Sequence, residues 1–432
     1  MKKVLIITYY WPPAGGSGVQ RWVKFAKYLR DFGWEPVIFT VESTDYPIID
    51  NSIGKDLPDD IEVIKSKILE PYQLYNFFSG KKKGQKIDAN FLSEGKKLNW
   101  KDKIAVWIRG NIFIPDAKFL WIGPSVRYLL DYLKENQINA MISTGPPHSC
   151  HLIAQNVCKK TNIPWIVDYR DPWTQIDYFD ELMLTSWAKK RHIKLEKKVL
   201  DACSHIITVG NSMADDLRNQ TTTTVTVITN GYDETDRNVI FTTPRSDKFV
   251  ISYLGVMNVS RDPEVLWQTL KKLKLTQNEV YNKIEINLIG QVEDITIKNI
   301  VQFGLEEKVK LFGYLAHKDA IVYQNSSDAL LLVINKTKNN KTILTGKIFE
   351  YIASGKPIIC IGPKNGDAAA ILSSLDNTYI VDYQNTEEME NVITKLFNNR
   401  HLYSASLKNI DHFSRKALTS KLSDILNKIV KD

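Results

Sequence analysis

Twelve short apolar runs, each separated from the next by an amphipathic or polar stretch, recur along this 432-residue chain. They lie at 4–8, 36–40, 140–144, 165–169, 205–209 and 225–229, and then at 249–254, 284–289, 309–312, 329–334, 357–361 and 378–382. The runs are nearly continuous rather than alternating, as expected of strands covered on both faces of a parallel sheet. Two sets of six predict an α/β chain of two doubly wound domains. The polar segment 232–248, with Asp233, Glu234, Asp236, Arg237, Pro244 and Asp247, reads as the linker. The expected division is a first domain over 1–240 and a second over 245–404. A final segment, 405–432, carries Leu418, Leu422, Ile425 and Ile429 at helical spacing.

Composition narrows the class. With 43% hydrophobic and 25% charged residues a disordered chain is excluded. No apolar run approaches the roughly 18–20 residues of a membrane span, and Val4-Leu5-Ile6-Ile7-Thr8 is too short for a signal peptide. Cys150, Cys158, Cys203 and Cys360 are scattered without metal-ligand spacing, which fits reduced thiols and a cytoplasmic location. The net charge of +8 lies wholly in residues 1–200, which hold 30 basic and 22 acidic residues. Such a half suits a membrane surface, a nucleic acid or a polyanionic substrate, or is a solvated face. Nucleic-acid binding has no motif behind it. Residues 66–125 break the alternation and read as an insertion. They hold Tyr72, Leu74, Tyr75, Phe77 and Phe78, then Lys81, Lys82 and Lys83, then Trp100, Trp107, Phe113 and Trp121. This patch would seat at a lipid headgroup layer, a peripheral contact at the inner face of an anionic membrane. Alternatively its aromatics pack onto the first domain.

After the first run comes Tyr9-Tyr10-Trp11-Pro12-Pro13-Ala14-Gly15-Gly16-Ser17-Gly18, entering a helix with Val19, Trp22, Val23, Ala26 and Leu29 on its apolar stripe. Glycines there let backbone approach a ligand and aim N–H groups at an anion. The third glycine of a dinucleotide fingerprint is missing, which disfavours a nicotinamide enzyme, and no P-loop occurs.

In the second half, Gly255 ends a strand, and Asp262 with Pro263 is placed to open a helix behind Arg261. The block Thr345-Gly346-Lys347-Ile348-Phe349-Glu350-Tyr351-Ile352-Ala353-Ser354-Gly355-Lys356-Pro357 reads as a helix start, one amphipathic helix, a glycine stop and a strand. Thr345 and Gly346 would present unpaired N–H groups to a diphosphate, with Lys347 as a cation beside them. Glu350, one turn on, would accept the hydroxyls of a ribose. In the first half, Gly145-Pro146-Pro147-His148 and Asp168-Tyr169-Arg170-Asp171-Pro172-Trp173 follow the carboxyl ends of strands, where open α/β sheets bind ligands. Asp168, Arg170 and Asp171 are either functional or a mutually satisfied ion cluster.

The Gly15–Gly18 loop, the Asn230-Gly231-Tyr232-Asp233 turn, Gly255, Gly290 and Gly313 after strands, Ser327-Asp328 and above all the 347–357 block carry a resemblance over nearly the whole length. The chain resembles the retaining, nucleotide-sugar-dependent glycosyltransferases of family 4, with the GT-B fold. Residues 143–174 resemble a bacterial glycan-biosynthesis subgroup. The resemblance implies two Rossmann-like domains facing across a cleft and a last helix crossing back to the first domain. It implies a nucleoside diphosphate sugar as donor, with Gly16, Gly255, Thr345, Gly346, Lys347 and Glu350 holding it. A glycan or lipid-linked acceptor would meet Gly15 and His148. Catalysis would involve Arg170, Asp168, Asp171, Arg261 and Lys347, without a metal or other cofactor. Two positions depart from the family pattern: Thr342 stands where many members have a first glutamate, and Arg170 where many have a histidine. The departures motivate two further readings, a nucleotide-sugar epimerase of the same architecture and a non-catalytic nucleotide-sugar-binding subunit of a polysaccharide assembly complex.

Overall fold

The structure, a computed structural model, describes residues 1–42, 46, 49–51, 53–68, 100–176, 179–234, 247–315, 317–401 and 410–431. The aromatics from Tyr72 to Phe78, Lys81, Lys82 and Lys83, and most of the expected linker lie outside the described residues. The chain divides into two compact units, Met1–Thr229 with Arg415–Asp432, and Asn230–Ser414.

Unit 1 runs β1 (Lys2–Ile7), α1 (Ser17–Leu29), β2 (Trp34–Val41), β3 (Glu62–Ser66), α2 (Trp100–Asn111), α3 (Ile122–Glu135), β4 (Ala140–Gly145), α4 (Ser149–Thr161), β5 (Trp165–Tyr169), α5 (Ser186–Ala202), β6 (His205–Thr208), α6 (Asn211–Arg218) and β7 (Val225–Val227). Its strands are all parallel in the order β3-β2-β1-β4-β5-β6-β7. The order reverses between β1 and β4, the kind of switch point at which open α/β sheets bind ligands. Strand β3 has no counterpart among the expected strands. It is a short edge strand in which only Ile64 is buried while Glu62 and Lys65, on opposite faces, are exposed, so it lacks the doubly buried signature.

Unit 2 runs β8 (Phe249–Leu254), α7 (Glu264–Thr276), α8 (Asn278–Lys283), β9 (Ile284–Ile289), α9 (Asp294–Gln302), β10 (Val309–Gly313), α10 (His317–Ser326), β11 (Ala329–Val333), α11 (Lys347–Ser354), β12 (Ile358–Ile361), α12 (Asp367–Leu372), β13 (Thr378–Val381) and α13 (Thr386–Asn398). The order β10-β9-β8-β11-β12-β13 reverses between β8 and β11. Successive residues of one strand feed two different cores. Leu331, Val333, Ile359 and Ile361 join the cluster containing Trp267 and Leu270, while Leu330, Leu332, Ile358 and Cys360 join the one containing Phe349 and Tyr351. Helices thus cover both faces, and β11 and β12 are apolar at every position.

The last helix, α14 (Arg415–Lys431), belongs to unit 1, where Leu418, Leu422, Ile425 and Leu426 enter the core. Each such side chain contributes about 1.5–3 kcal/mol on burial. Lys416 adds an ion pair with Asp31 at 2.9 Å beside α1. Both units are therefore Rossmann-like parallel sheets flanked by helices.

Candidate functional site

In unit 2 the expected donor residues gather at the β8/β11 switch point. Gly346 leads into α11 in helical conformation, and a side chain built on it would meet no neighbouring atom within 4 Å. The first-turn amides of a helix have no partner within the helix, and Gly346 itself is half-buried. The helix ends where Gly355 adopts φ 67°, the left-handed stop that glycine tolerates. Tyr351 faces inward and its Oη accepts a hydrogen bond from Leu254 N at 3.0 Å, which fastens α11 to the end of β8. Lys347 Nζ lies over the Tyr253 ring, 4.7 Å from its centroid. At Gly255 the backbone has φ +124°, and any side chain there would collide with the Lys347 ammonium. The glycine is required twice over, by backbone conformation and by this approach.

Arg261 stands beside Lys347. Its Nε donates to Asn335 Oδ1 at 2.7 Å and its guanidinium also donates to Val256 O at 3.2 Å. Asn335 Nδ2 in turn donates to Ser260 Oγ at 3.1 Å, and Lys336 N to Ser260 O at 2.7 Å, tying the loops after β8 and β11 together. Neither Lys347 nor Arg261 forms an ion pair with a described residue. Burial, and then the Arg261 charge, push the Lys347 ammonium down to about 8, with Glu350 opposing. Lys347 and Arg261 thus bring two cations to the start of α11, an arrangement that favours an anion. Glu350 lies half-buried on the same face of α11, one turn on. Thr345 Oγ1, just before this helix, is buried without a partner. Thr342 sits in a single 3-10 turn and donates to Asn339 O at 2.9 Å. Asp262 does not cap α7 as expected. Its carboxylate accepts from Trp267 Nε1 at 3.0 Å and Asn299 Nδ2 at 2.5 Å instead.

The β1/β4 edge of unit 1 differs from its expectation. Asp168 is fully buried and accepts hydrogen bonds from Trp22 Nε1 at 2.7 Å, Thr144 Oγ1 at 2.8 Å and Arg21 Nη2 at 3.1 Å. Arg21 is itself fully buried and also donates to Thr229 O at 2.9 Å. The ion-cluster alternative does not hold for Asp168 and Arg170, since Asp168 pairs with Arg21 instead. Asp168 is an internal strut between α1, β4 and β5, out of reach of a ligand, and Asp171 is exposed. Arg170 donates to the carbonyls of Gly145 and Pro146 and lies against Gly18, where no side chain would fit. It joins the loop after β4 to the first turn of α1. Gly15 is half-buried and Gly16, at φ +108°, is exposed at the start of α1.

His148 is buried and stacks on Trp173 at 4.6 Å with planes 4° apart. Burial, and then the neighbouring charges, hold it neutral, well below the usual histidine range, and its Nδ1 has no partner. His151 behind it is pushed down to about 3 by burial. Ser143 Oγ accepts from Trp165 Nε1 at 2.8 Å and lies 2.8 Å from His151 Nδ1. That serine can then donate its proton to Nδ1, which leaves the hydrogen on Nε2. Among the described residues, no three His, Cys, Asp or Glu side chains are grouped to hold a metal ion.

Arg21, His151, Tyr253 and Asn335 were not singled out from the sequence. Asn335 had a usable signal, since it follows the carboxyl end of a central strand. Arg21 had none, because it lies beside the apolar stripe of α1 and looks like a solvated arginine.

The comparisons with known proteins agree with this geometry. The family model described as Glycosyltransferase Family 4 matches residues 90–236, and that described as Glycosyl transferases group 1 matches 248–399. No curated protein matches the sequence. Among solved structures, sucrose-phosphate synthase from Thermosynechococcus elongatus is similar at TM-score 0.64 and 13% identity, over 100% of both chains. The lipopolysaccharide outer core galactosyltransferase WaaB gives 0.57 and 13%, over 99% of this chain and 100% of that one. A mutant of S. aureus TarM, in complex with Fondaparinux, alpha-GlcNAc-glycerol and UDP, gives 0.60 and 13% over 99% and 100%. At these identities the likeness speaks for the fold, and the two family matches, one in each unit, speak for the class. The chain belongs to the family 4-type glycosyltransferases and has their GT-B fold of two Rossmann-like domains.

Proposed function

We propose that the chain moves a hexose-type sugar from a nucleoside diphosphate donor to a glycan or lipid-linked acceptor, with anomeric configuration retained. The observation behind this reading is the pair of cations, Lys347 and Arg261, held beside the start of α11. A diphosphate there would accept from the amides of Gly346 and Lys347 and pair with both side chains. Glu350 would accept the ribose hydroxyls. The UDP in the TarM complex and the galactosyltransferase activity named for WaaB support this donor class and a glycan acceptor.

In the reaction, the acceptor oxygen bonds to the anomeric carbon as the bond to the diphosphate oxygen breaks on the same face. The proton of the acceptor hydroxyl passes to the departing phosphate oxygen, so no side-chain base is needed. The chain's part is to stabilise negative charge on the leaving diphosphate through Lys347, Arg261 and the α11 amides. His148, neutral and with Nδ1 unpartnered, would hydrogen-bond an acceptor hydroxyl at the β4 edge. Arg170 would act by holding that loop, and Asp168 by holding the elements beneath it.

The test is a panel of nucleotide sugars and glycan acceptors, with nucleoside diphosphate release as the readout. Release that depends on acceptor supports transfer; conversion of the donor alone would replace it with epimerisation, and saturable binding without turnover with a binding subunit. Lys347→Ala and Glu350→Ala should each weaken nucleoside diphosphate binding about 10-fold or more, since a charge-assisted hydrogen bond contributes roughly 1.5–3 kcal/mol. Wild-type affinity should fall as pH rises above about 8, where Lys347 loses its proton. An anion favours the charged lysine, so binding takes up protons in that range. Unchanged affinity in both variants would remove the site.

A further inference from the structure

Tyr253 touches Lys347 and shares a carbonyl with Arg261, and the proposed reaction does not use it. It is the fifth residue of β8, buried, and its hydroxyl reaches past the strand end to donate to Val256 O at 2.8 Å. Arg261 Nη1 donates to the same carbonyl oxygen at 3.2 Å. Burial pushes the Tyr253 phenol up, against the opposing Arg261 charge, so the hydroxyl keeps the proton that it donates. With that proton committed to Val256, the lone pairs of Oη are left for another donor. Lys347 Nζ supplies one across 3.5 Å, a long contact, and lies at the same time 4.7 Å from the ring centroid. One side chain thus offers the ammonium both a π face and an oxygen. Gly255, two residues on, leaves the space through which the lysine arrives, since a side chain there would collide with it.

These partners of the two cations are neutral. Arg261 is held by the amide oxygen of Asn335 and the carbonyl of Val256, and Lys347 by the tyrosine. A carboxylate in place of the phenol would hold the ammonium at least as firmly, but would cancel the charge that a diphosphate needs. Without a holder, the long lysine side chain would spread over many rotamers, and ligand binding would have to order it. A ring that fixes the ammonium in advance removes that penalty. We propose that Tyr253 is a positioning residue for the donor diphosphate, its ring and hydroxyl holding the Lys347 ammonium beside the start of α11 while leaving its charge uncancelled. The inference rests on the sugar-transfer reading and adds to it the residue that sets where the lysine stands.

The experiment is titration calorimetry of the full chain with UDP, GDP, ADP and dTDP. The tightest of them is then carried through the variants at several pH values on either side of about 8. Tyr253→Leu removes ring and hydroxyl together, and affinity should fall about 10-fold. Tyr253→Phe removes the hydroxyl alone, and affinity should fall about 3-fold. This second variant keeps the packing, so it reads the pH profile even where the leucine variant unfolds. Ring and oxygen favour the charged lysine, and losing them lowers its pKa. The pH at which affinity drops should therefore move below about 8, further in Tyr253→Leu than in Tyr253→Phe. A merely structural role would lower the thermal transition without moving this profile. On a Lys347→Ala background, Tyr253→Leu should cost far less than the 10-fold of the single change, because the group it positions is gone. A wild-type pH profile in the folded variants, or a further loss of about 10-fold on the Lys347→Ala background, would overturn the inference and leave the donor site standing. Lys347→Ala binding as tightly as wild type, or no binding of any of the nucleotides, would overturn both.

Discussion

Asp168 shows how a charged residue at a ligand-binding edge can belong wholly to the interior. Its two oxygens take donors from Trp22, Thr144 and Arg21, all buried, which offsets the desolvation of the carboxylate. Position along the chain placed it beside Arg170, yet Arg170 turns to backbone carbonyls and the buried pair forms with Arg21, 147 residues away. Sequence neighbours on a strand point to opposite faces, so Asp168 and Arg170 share a face while Tyr169 does not. Which helix supplies the partner is a tertiary matter. Asp168→Ala would leave a buried arginine without its counter-charge. The expected loss is about 3–5 kcal/mol of unit 1 stability, read as a lower denaturant midpoint of tryptophan fluorescence. A midpoint unchanged from the wild type would contradict the strut role.

Element by element, α11 was the most legible part of the chain. Its start, its length, the Gly355 stop and the strand that follows all show in the sequence, because each has a local cause: free amides, an amphipathic stripe and a left-handed residue. The loop after β8 was legible only in part. Gly255 and Arg261 were singled out, but the crossing of Lys347 over Gly255 joins positions far apart in sequence and has no local signature. Gly255→Ala puts a methyl group on a φ of +124° and displaces the ammonium, the flexible end of a long side chain. The fold should survive while diphosphate affinity drops about 10-fold, as measured by titration calorimetry. Affinity equal to wild type would mean that Lys347 does not act from this position. Edge strand β3 was missed for the opposite reason, since exposed Glu62 and Lys65 break the continuous apolar run that marked the other strands.

Across the whole molecule, the two units differ in how they carry titratable groups. His148, His151, His192 and His205 all lie in unit 1, and burial lowers each below its ordinary value, His151 to about 3 and His205 to about 4. The unfolded chain takes up these protons below about 6.5 while the folded unit does not, so stability is lost as pH falls through that range. Each histidine removes about 1.4 kcal/mol per pH unit where the difference is full. Nine of the ten tryptophans belong to unit 1, so fluorescence should report acid unfolding of this unit, with a midpoint that rises when urea is present. A signal flat between pH 7 and pH 4 in moderate urea would contradict it. The sequence alone determined the class of the chain: doubly buried strands and helix-boundary residues are local, repeated signals, and they set two parallel α/β units and the helix start at Gly346. Tertiary structure alone decided which charges meet. Arg21 reaches Asp168, Arg261 comes beside Lys347, and the tryptophans of α2 and α5 stand outward, because pairing and exposure depend on which surfaces the packed elements leave uncovered.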